Sequence, residues 1–258
     1  MNASTAVFDR IVCGVENTPQ SDEALDQAQC LLAPTGELHL VSVADVAVAV
    51  HAGWAASRVL DKIEVGARDA LARAEEHALD AEAHLLEGEP VRGLLREIDL
   101  VDATLVALGT QGHSRTAGII VGATSTTLLH EAPCAVLIAR PSLTEGGFPA
   151  SVVVGVDGSV HSHRALAAAC DVADRFSIPL RVIAATGGRP ISLDGLRDVD
   201  GLEWSERKPV DALIEASKSA DLVVVGSRGL HGPAALGSVS ERVAHRARSS
   251  VLVVRERD

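Results

Sequence analysis

Two glycine-rich stretches organise the chain, and one of them, Leu222–Ser238, reads LVVVGSRGLHGPAALGS. Its counterpart, Leu105–Ser125, reads LVALGTQGHSRTAGIIVGATS. Each begins with an apolar run of strand length, breaks at two glycines, and reaches a further glycine before a helical pattern begins. Glycine permits turns that other residues resist and lets a ligand approach the main chain. Because the amides at a helix start favour an anion, the stretches predict two sites for the phosphates of a nucleotide.

The composition indicates an aliphatic core and an acidic surface. Hydrophobic residues make up 47% of the 258 residues but aromatic residues only 2%. Val, Leu, Ile and Ala must therefore fill the core, as they do in parallel sheets that helices cover on both faces. The formal net charge of −12 repels a polyanion, which argues against a nucleic-acid partner.

The same sequence favours a cytoplasmic protein with no membrane partner. Its four cysteines have no paired spacing, which favours free thiols in a reducing compartment. The most apolar window, Leu38–Val50, is too short to span a bilayer, and the first residues do not resemble a signal peptide.

Strand and helix patterns alternate through the first half of the chain. A helix start at Ser21 and a helix end at Pro34 and Gly36 follow from their capping and breaking preferences. The predicted strands are Arg10–Val15, Leu38–Val43, His84–Glu87, Leu105–Leu108 and Ala135–Ala139, and the predicted helices cover Glu23–Leu32, Ala56–Ala83, Pro90–Leu100 and Thr124–His130.

After a linker rich in turn residues, the pattern restarts at the strand Val152–Val156. Only Ile191–Val199 remains where the first copy has its long helix. Such ordered self-similarity indicates a tandem duplication, with domains over residues 1–141 and 150–258. The fold class is α/β, with two tandem doubly wound, mostly parallel five-stranded sheets. Ligands of such sheets lie where the strand order reverses, which brings Glu16 and Asp157 beside the glycine stretches.

These residues resemble the universal stress protein family in its tandem form, over nearly the whole chain. Nucleotide-binding members of that family carry an acidic residue after the first strand and a G-x2-G-x9-G-[ST] motif after the fourth. The first copy has the full spacing but carries Ala123 at the Ser/Thr position and Glu16 where Asp is usual. The second copy has Asp157 and Ser238, but only seven residues separate its Gly229 from Gly237, where the motif has nine.

The resemblance implies ATP, ADP or AMP as the ligand, with Mg²⁺ accompanying the phosphates. The residues expected at the first site are Gly14, Val15, Glu16, Val41, Gly109, Gln111, Gly112, Gly122, Ala123 and Thr124, and those expected at the second are Gly155, Val156, Asp157, Gly226, Arg228, Gly229, Gly237, Ser238 and Val239. Because the second loop is shorter and contains Pro233, we expect that site to prefer a mono- or diphosphate, or to bind weakly.

The family also implies that the final strands of two domains align. In a tandem chain, Ala135–Ala139 and Val251–Val254 would then pair within one molecule as a pseudo-dimer, and a homodimer is a further option. The function that follows is regulatory nucleotide binding in a stress response.

Two other functions stay open at this point: a nucleotide-independent scaffold and a slow ATPase. The glycines are also compatible with plain turns, and Glu16 and Asp157 with turn capping. The sequence offers no catalytic residue and no metal ligand set; His161 and His163 are two apart and do not share a helix face.

Overall fold

The computed structural model describes residues 8–46, 56–110, 121–144, 147–188, 199, 201–227 and 236–255. In the first half the strands are β1 (Phe8–Gly14), β2 (Leu32–Ala44), β3 (Glu82–Glu87), β4 (Leu105–Gly109) and β5 (Ala135–Ala139), and the helices are α1 (Pro19–Leu31), α2 (Ala56–His77), α3 (Pro90–Leu100) and α4 (Ala123–Glu131). In the second half the strands are β6 (Val152–Val156), β7 (Leu180–Ala185), β8 (Leu202–Ser205), β9 (Leu222–Gly226) and β10 (Ser250–Val254), and the helices are α5 (Val160–Phe176), α6 (Pro209–Ala216) and α7 (Ser238–Arg246).

All ten of these strands form one sheet, in the order β3-β2-β1-β4-β5-β10-β9-β6-β7-β8. Every pair is parallel except β5 with β10, which run antiparallel, with Leu137 opposite Leu252. The predicted pairing of these two strands within one molecule is confirmed. The two predicted five-stranded sheets are therefore one continuous sheet, because main-chain hydrogen bonds join their final strands.

Helices cover both faces of the sheet, as the aliphatic composition predicts. Buried side chains of α1, α2 and α5 form one core on one face. Those of α3, α4, α6 and α7 form the other. Within the described residues, no helix combines the length and the apolar composition needed to cross a membrane.

Several element boundaries differ from the sequence predictions. Helix α2 ends at His77 and not at Ala83, which lies in β3. The N-cap of α1 is Thr18, whose Oγ1 accepts a hydrogen bond from the Ser21 amide at 3.2 Å. The Ser21 hydroxyl instead accepts one from the Glu16 amide at 2.8 Å. The chain also passes straight from α1 into β2, so Pro34 and Gly36 lie inside a strand and do not form a turn.

Two arginines join the halves of the molecule in a reciprocal way. Arg140, which follows β5 and is 2% exposed, donates through its guanidinium to the carbonyl of Ala244 in the last turn of α7 and to that of Ser249, just before β10. Arg255, which follows β10, donates to the carbonyls of Leu129 and Ala132 at the end of α4. A cation at a helix C-terminus is favourable, so each half caps a helix of the other.

Candidate functional site

The structure contains two cavities at equivalent places, one in each half. The first lies where β1 and β4 end, and the second where β6 and β9 end. In each half these are the neighbouring strands at which the strand order reverses, the position at which ligands of open α/β sheets bind. The first cavity has a volume of about 120 Å³ and the second about 280 Å³.

Most of the predicted site residues line these cavities. Ala123 does not line the first cavity; its side chain is exposed on α4. Gln111, Gly112, Arg228 and Gly229 lie outside the described residues. The predicted residues that line the first cavity are Gly14, Val15, Glu16, Val41, Gly109, Gly122 and Thr124, and those that line the second are Gly155, Val156, Asp157, Gly226, Gly237, Ser238 and Val239.

Gly109 and Gly226 allow a close packing contact between a strand end and a helix. A Cβ atom on Gly109 would lie 2.4 Å from the carbonyl oxygen of Gln20, and one on Gly226 would lie 2.4 Å from that of His161. These carbonyls belong to the first turns of α1 and α5, and they are backbone atoms that cannot rotate away. The two glycines are therefore required by the fold, whatever they contribute to a ligand.

The helices α4 and α7 begin at the cavities with their first amides uncapped by a side chain. Their N-caps are Gly122 and Gly237, which make no side-chain cap hydrogen bond. The hydroxyl of Ser125 donates to the Gly109 carbonyl at 3.2 Å, and that of Ser240 donates to the Gly226 carbonyl at 2.6 Å. These bonds fix each helix start against a strand end. Because amides in a first helical turn have no partner within the helix, the arrangement suits an anion.

The acidic residues after β1 and β6 are held differently. Asp157 accepts a hydrogen bond from the Ser159 amide through Oδ1 at 3.0 Å, so it holds a turn while lining the second cavity. The Glu16 side chain is exposed, and its carbonyl accepts from the Thr18 amide at 2.9 Å. A carboxylate can accept more than one hydrogen bond, so holding a turn leaves Asp157 able to accept from a ligand.

The helix α2 reaches the first cavity's acidic loop and has no described counterpart in the second half. Its Arg73 donates to the Asn17 side chain at 2.7 Å and to the Glu16 carbonyl at 3.4 Å. It also lies 3.5 Å from Asp22. The loop that carries Glu16 is therefore held from outside the cavity.

The sequence interpretation missed several lining residues of the second cavity. Ile183 and Ala185 lie on β7, and Leu213 lies on α6. The register of β6 with β7 places Gly155 opposite Ile183, and this neighbourhood is the signal that could have identified them. His161, at the start of α5, also lines this cavity and is only partly exposed.

One strand residue explains part of the difference in cavity size. Gly14 pairs with Val41 in the first half as Gly155 pairs with Ile183 in the second. Two residues further along these strands, Val43 lines the first cavity and Ala185 lines the second. Val43 is bulkier than Ala185, whereas Val41 is smaller than Ile183, so of these two pairs only the Val43 and Ala185 pair favours a larger second cavity.

Comparison with known proteins agrees with this architecture. A family model described as the universal stress protein family matches residues 8–140 and 200–255. A universal stress protein of Mycobacterium tuberculosis is 34% identical over 221 aligned positions, covering 73% of this chain and 74% of its own. One from Mycolicibacterium smegmatis is 29% identical and covers 96% of this chain and 97% of its own. The crystal structure of a universal stress protein from Archaeoglobus fulgidus shares the fold, with a TM-score of 0.72, 20% identity and coverage of 98% of this chain and 97% of that one. The chain therefore belongs to the universal stress protein family.

Proposed function

We propose that the protein binds an adenine nucleotide in its second cavity and that occupancy of this cavity regulates a stress response. One observation carries the proposal: the second cavity, of about 280 Å³, combines apolar walls, an acidic rim and an uncapped helix start. Its volume is near the lower end of the range for small-molecule sites, about 300–1,000 Å³.

The apolar walls suit a flat heteroaromatic base. Ile183 and Ala185 from β7 and Leu213 from α6 line one side of the cavity. They are aliphatic, so stacking a base against them removes apolar surface from water without burying a polar group of these three side chains. The adenine would lie between the sheet edge and α6.

The polar groups suit the ribose and the phosphates. Asp157, on the loop after β6, would accept hydrogen bonds from ribose hydroxyls. The amides of Ser238 and Val239 in the first turn of α7 would donate to the phosphate oxygens. Mg²⁺ would accompany the phosphates. The shorter second loop favours AMP or ADP over ATP, because fewer main-chain amides are available for the outer phosphates.

The first cavity is proposed as a weaker site. Its volume of about 120 Å³ is well below the usual range for small molecules, and Val43 narrows it. The chain would then contain two domains, over residues 1–141 and 150–258, that bind the adenine nucleotide with unequal affinity.

The proposed role is that of a cytoplasmic binding protein and not of an enzyme. Neither glycine stretch offered a general base for hydrolysis. Nucleotide turnover would instead favour a slow ATPase, and failure to bind any adenine nucleotide would favour the scaffold function.

A matched pair of variants tests the proposal by isothermal titration calorimetry with AMP, ADP and ATP. Asp157→Asn can keep the turn to Ser159 while removing the charge, and Glu16→Gln makes the same change at the first cavity. A hydrogen bond to a charged acceptor is worth about 1–1.5 kcal/mol more than one to a neutral acceptor, so Asp157→Asn should weaken binding about 5- to 13-fold. Glu16→Gln should leave the tighter site unchanged. Equal affinity of wild-type and Asp157→Asn proteins would contradict the proposed site.

A further inference from the structure

A cluster of two histidines and two glutamates lies on the first half of the sheet, apart from the residues that line either cavity. His39 is on β2 and pairs directly with Glu82 on β3. His84 is two residues beyond Glu82 and on the same side of the strand. Helix α3 brings Glu97 over His84. We call these four residues the His–Glu cluster.

The potential ligand atoms of the cluster are close together. Glu82 Oε2 lies 3.6 Å from His39 Nδ1 and 3.9 Å from His84 Nε2. Glu97 Oε1 lies 3.5 Å from His84 Nε2. One ligand atom each from His39, Glu82 and His84 lie within 4.8 Å of one another. His39, Glu82 and His84 therefore form a compact set of nitrogen and oxygen atoms on two neighbouring strands, and Glu97 contacts it through His84.

Several of these atoms are buried without a hydrogen-bond partner. His39 is 4% exposed and Glu97 is 3% exposed. Among the described residues, neither ring nitrogen of His39, nor His84 Nε2, nor Glu97 Oε1 forms a hydrogen bond. Buried polar atoms almost always have a partner, so the absence of one at four neighbouring atoms needs an explanation.

We propose that the His–Glu cluster binds a zinc-class divalent transition-metal ion. Zn²⁺ binds imidazole nitrogen and carboxylate oxygen at about 2.0–2.2 Å, so neighbouring ligand atoms of a tetrahedral site are about 3.3–3.6 Å apart. The contacts of Glu82 Oε2 with His39 Nδ1 at 3.6 Å and with His84 Nε2 at 3.9 Å are close to that spacing.

The ligand types also decide between classes of metal. Two imidazoles favour zinc and its transition-metal neighbours, whereas Ca²⁺ and Mg²⁺ prefer sites made of oxygen atoms. His39, Glu82 and His84 would supply three ligands and leave the fourth position of a tetrahedral ion to a water molecule, while Glu97 lies against His84. The bound ion would tie the edge strand β3 to β2.

The second half of the molecule has a salt bridge at the equivalent strand positions. Arg181 on β7 stands where β2 has His39, and Glu203 on β8 stands where β3 has His84, as the matching strand registers show. Arg181 donates twice to Glu203, at 2.8 Å each. Ala216 is the α6 counterpart of Glu97. The proposal therefore predicts one metal ion per chain, in the first half.

The test is a titration of metal-free, full-length protein with Zn²⁺ in the presence of a competing chelator, followed by calorimetry. The ligand variants are Glu82→Gln and His84→Gln. The side chain of Glu82 is 72% exposed, so Glu82→Gln should fold even if a buried substitution does not. The control is His130→Gln. His130 Nε2 lies 3.5 Å from Glu241 Oε1, but among the described residues this His–Glu pair belongs to no group of three possible metal ligands.

We expect one equivalent of Zn²⁺ to bind to the wild type and to His130→Gln, and to raise the unfolding temperature of both. Glu82→Gln should weaken Zn²⁺ binding by about tenfold or more. Removing a residue that only orients a metal ligand already weakens binding by at least about tenfold, and Glu82 would be a ligand itself. Co²⁺ in the wild type should give the intense visible bands of a four-coordinate ion. Unchanged affinity in both ligand variants, absence of one-equivalent binding, or a six-coordinate Co²⁺ spectrum would overturn the proposal.

Discussion

The substitution Gly109→Ala should destabilise the protein through packing, with no ligand involved. The added Cβ would lie 2.4 Å from the Gln20 carbonyl oxygen and 2.6 Å from its carbon. Ordinary contacts begin near 3.4 Å, so the start of α1 must move by about 1 Å or the strand end must distort. Gly226→Ala should behave alike, since the same distances separate its Cβ from His161.

The magnitude follows from known costs of overpacking. Inserting a methyl group into a packed region costs about 1–3 kcal/mol, which in a chain of this size lowers the unfolding temperature by about 2–12 °C. The matched control is Gly66→Ala in α2, where a Cβ meets nothing within 4 Å. Removing a helix glycine should stabilise the protein by about 0.5–1 kcal/mol.

The assay is thermal and urea unfolding of the nucleotide-free proteins, followed by circular dichroism. We expect Gly109→Ala and Gly226→Ala to unfold at lower temperature than the wild type, and Gly66→Ala to unfold slightly higher. If Gly109→Ala were as stable as Gly66→Ala, the packing role of this glycine would be refuted. A ligand role would then be its remaining explanation.

Two other perturbations test the core and the junction between the halves. Arg140→Met should lower the free energy of unfolding by about 1–3 kcal/mol, because the carbonyls of Ala244 and Ser249 lose the hydrogen bonds that Arg140 donates. Urea unfolding measures this change, and unchanged stability would contradict the capping role of Arg140. Burial raises the pKa of the Cys13 thiol to about 12 from 9.0, so the folded state keeps this thiol protonated where the unfolded state ionises. Stability should therefore fall between about pH 9 and pH 12, by up to about 1.4 kcal/mol per pH unit from this group. In Cys13→Ala this component should vanish, and an unchanged pH slope would exclude it.

Elements with local signals could be predicted from the sequence with accurate ends. Helix α3 begins at Pro90 as expected, because proline suits the first turn of a helix. The strands Ala135–Ala139 and Val152–Val156 are uniform apolar runs between breakers. The start of β2 was wrong because Pro34 and Gly36 resemble a turn. Gly36 is needed there instead because a Cβ would lie 2.8 Å from the Asp9 carbonyl oxygen.

The candidate site could be predicted only where its residues are close in sequence. Gly237, Ser238 and Asp157 follow strands and were expected at the cavity they line. Ala185 was missed because only the register of β6 with β7 brings it there. The His–Glu cluster was missed for the same reason: its residues come from two strands and a helix, and no short spacing marks them.

The sequence also did not reveal which cavity is larger. The shorter loop after β9 led to the expectation that the second site prefers a mono- or diphosphate or binds weakly, and this expectation about affinity stays a prediction. The cavity volumes involve side chains of the neighbouring strand as well, such as Val43 and Ala185. Size is therefore a property of the packed sheet and not of the glycine stretch alone.

A reciprocal exchange at these two positions tests the central claim most directly. AMP is titrated by calorimetry into nucleotide-stripped wild-type protein, Ala185→Val and Val43→Ala. We predict that the wild type binds one AMP tightly, that Ala185→Val loses most of this affinity, and that Val43→Ala strengthens binding at the first cavity. Undiminished binding in Ala185→Val, or no binding of AMP, ADP or ATP by the wild type, would contradict a nucleotide site in the second cavity.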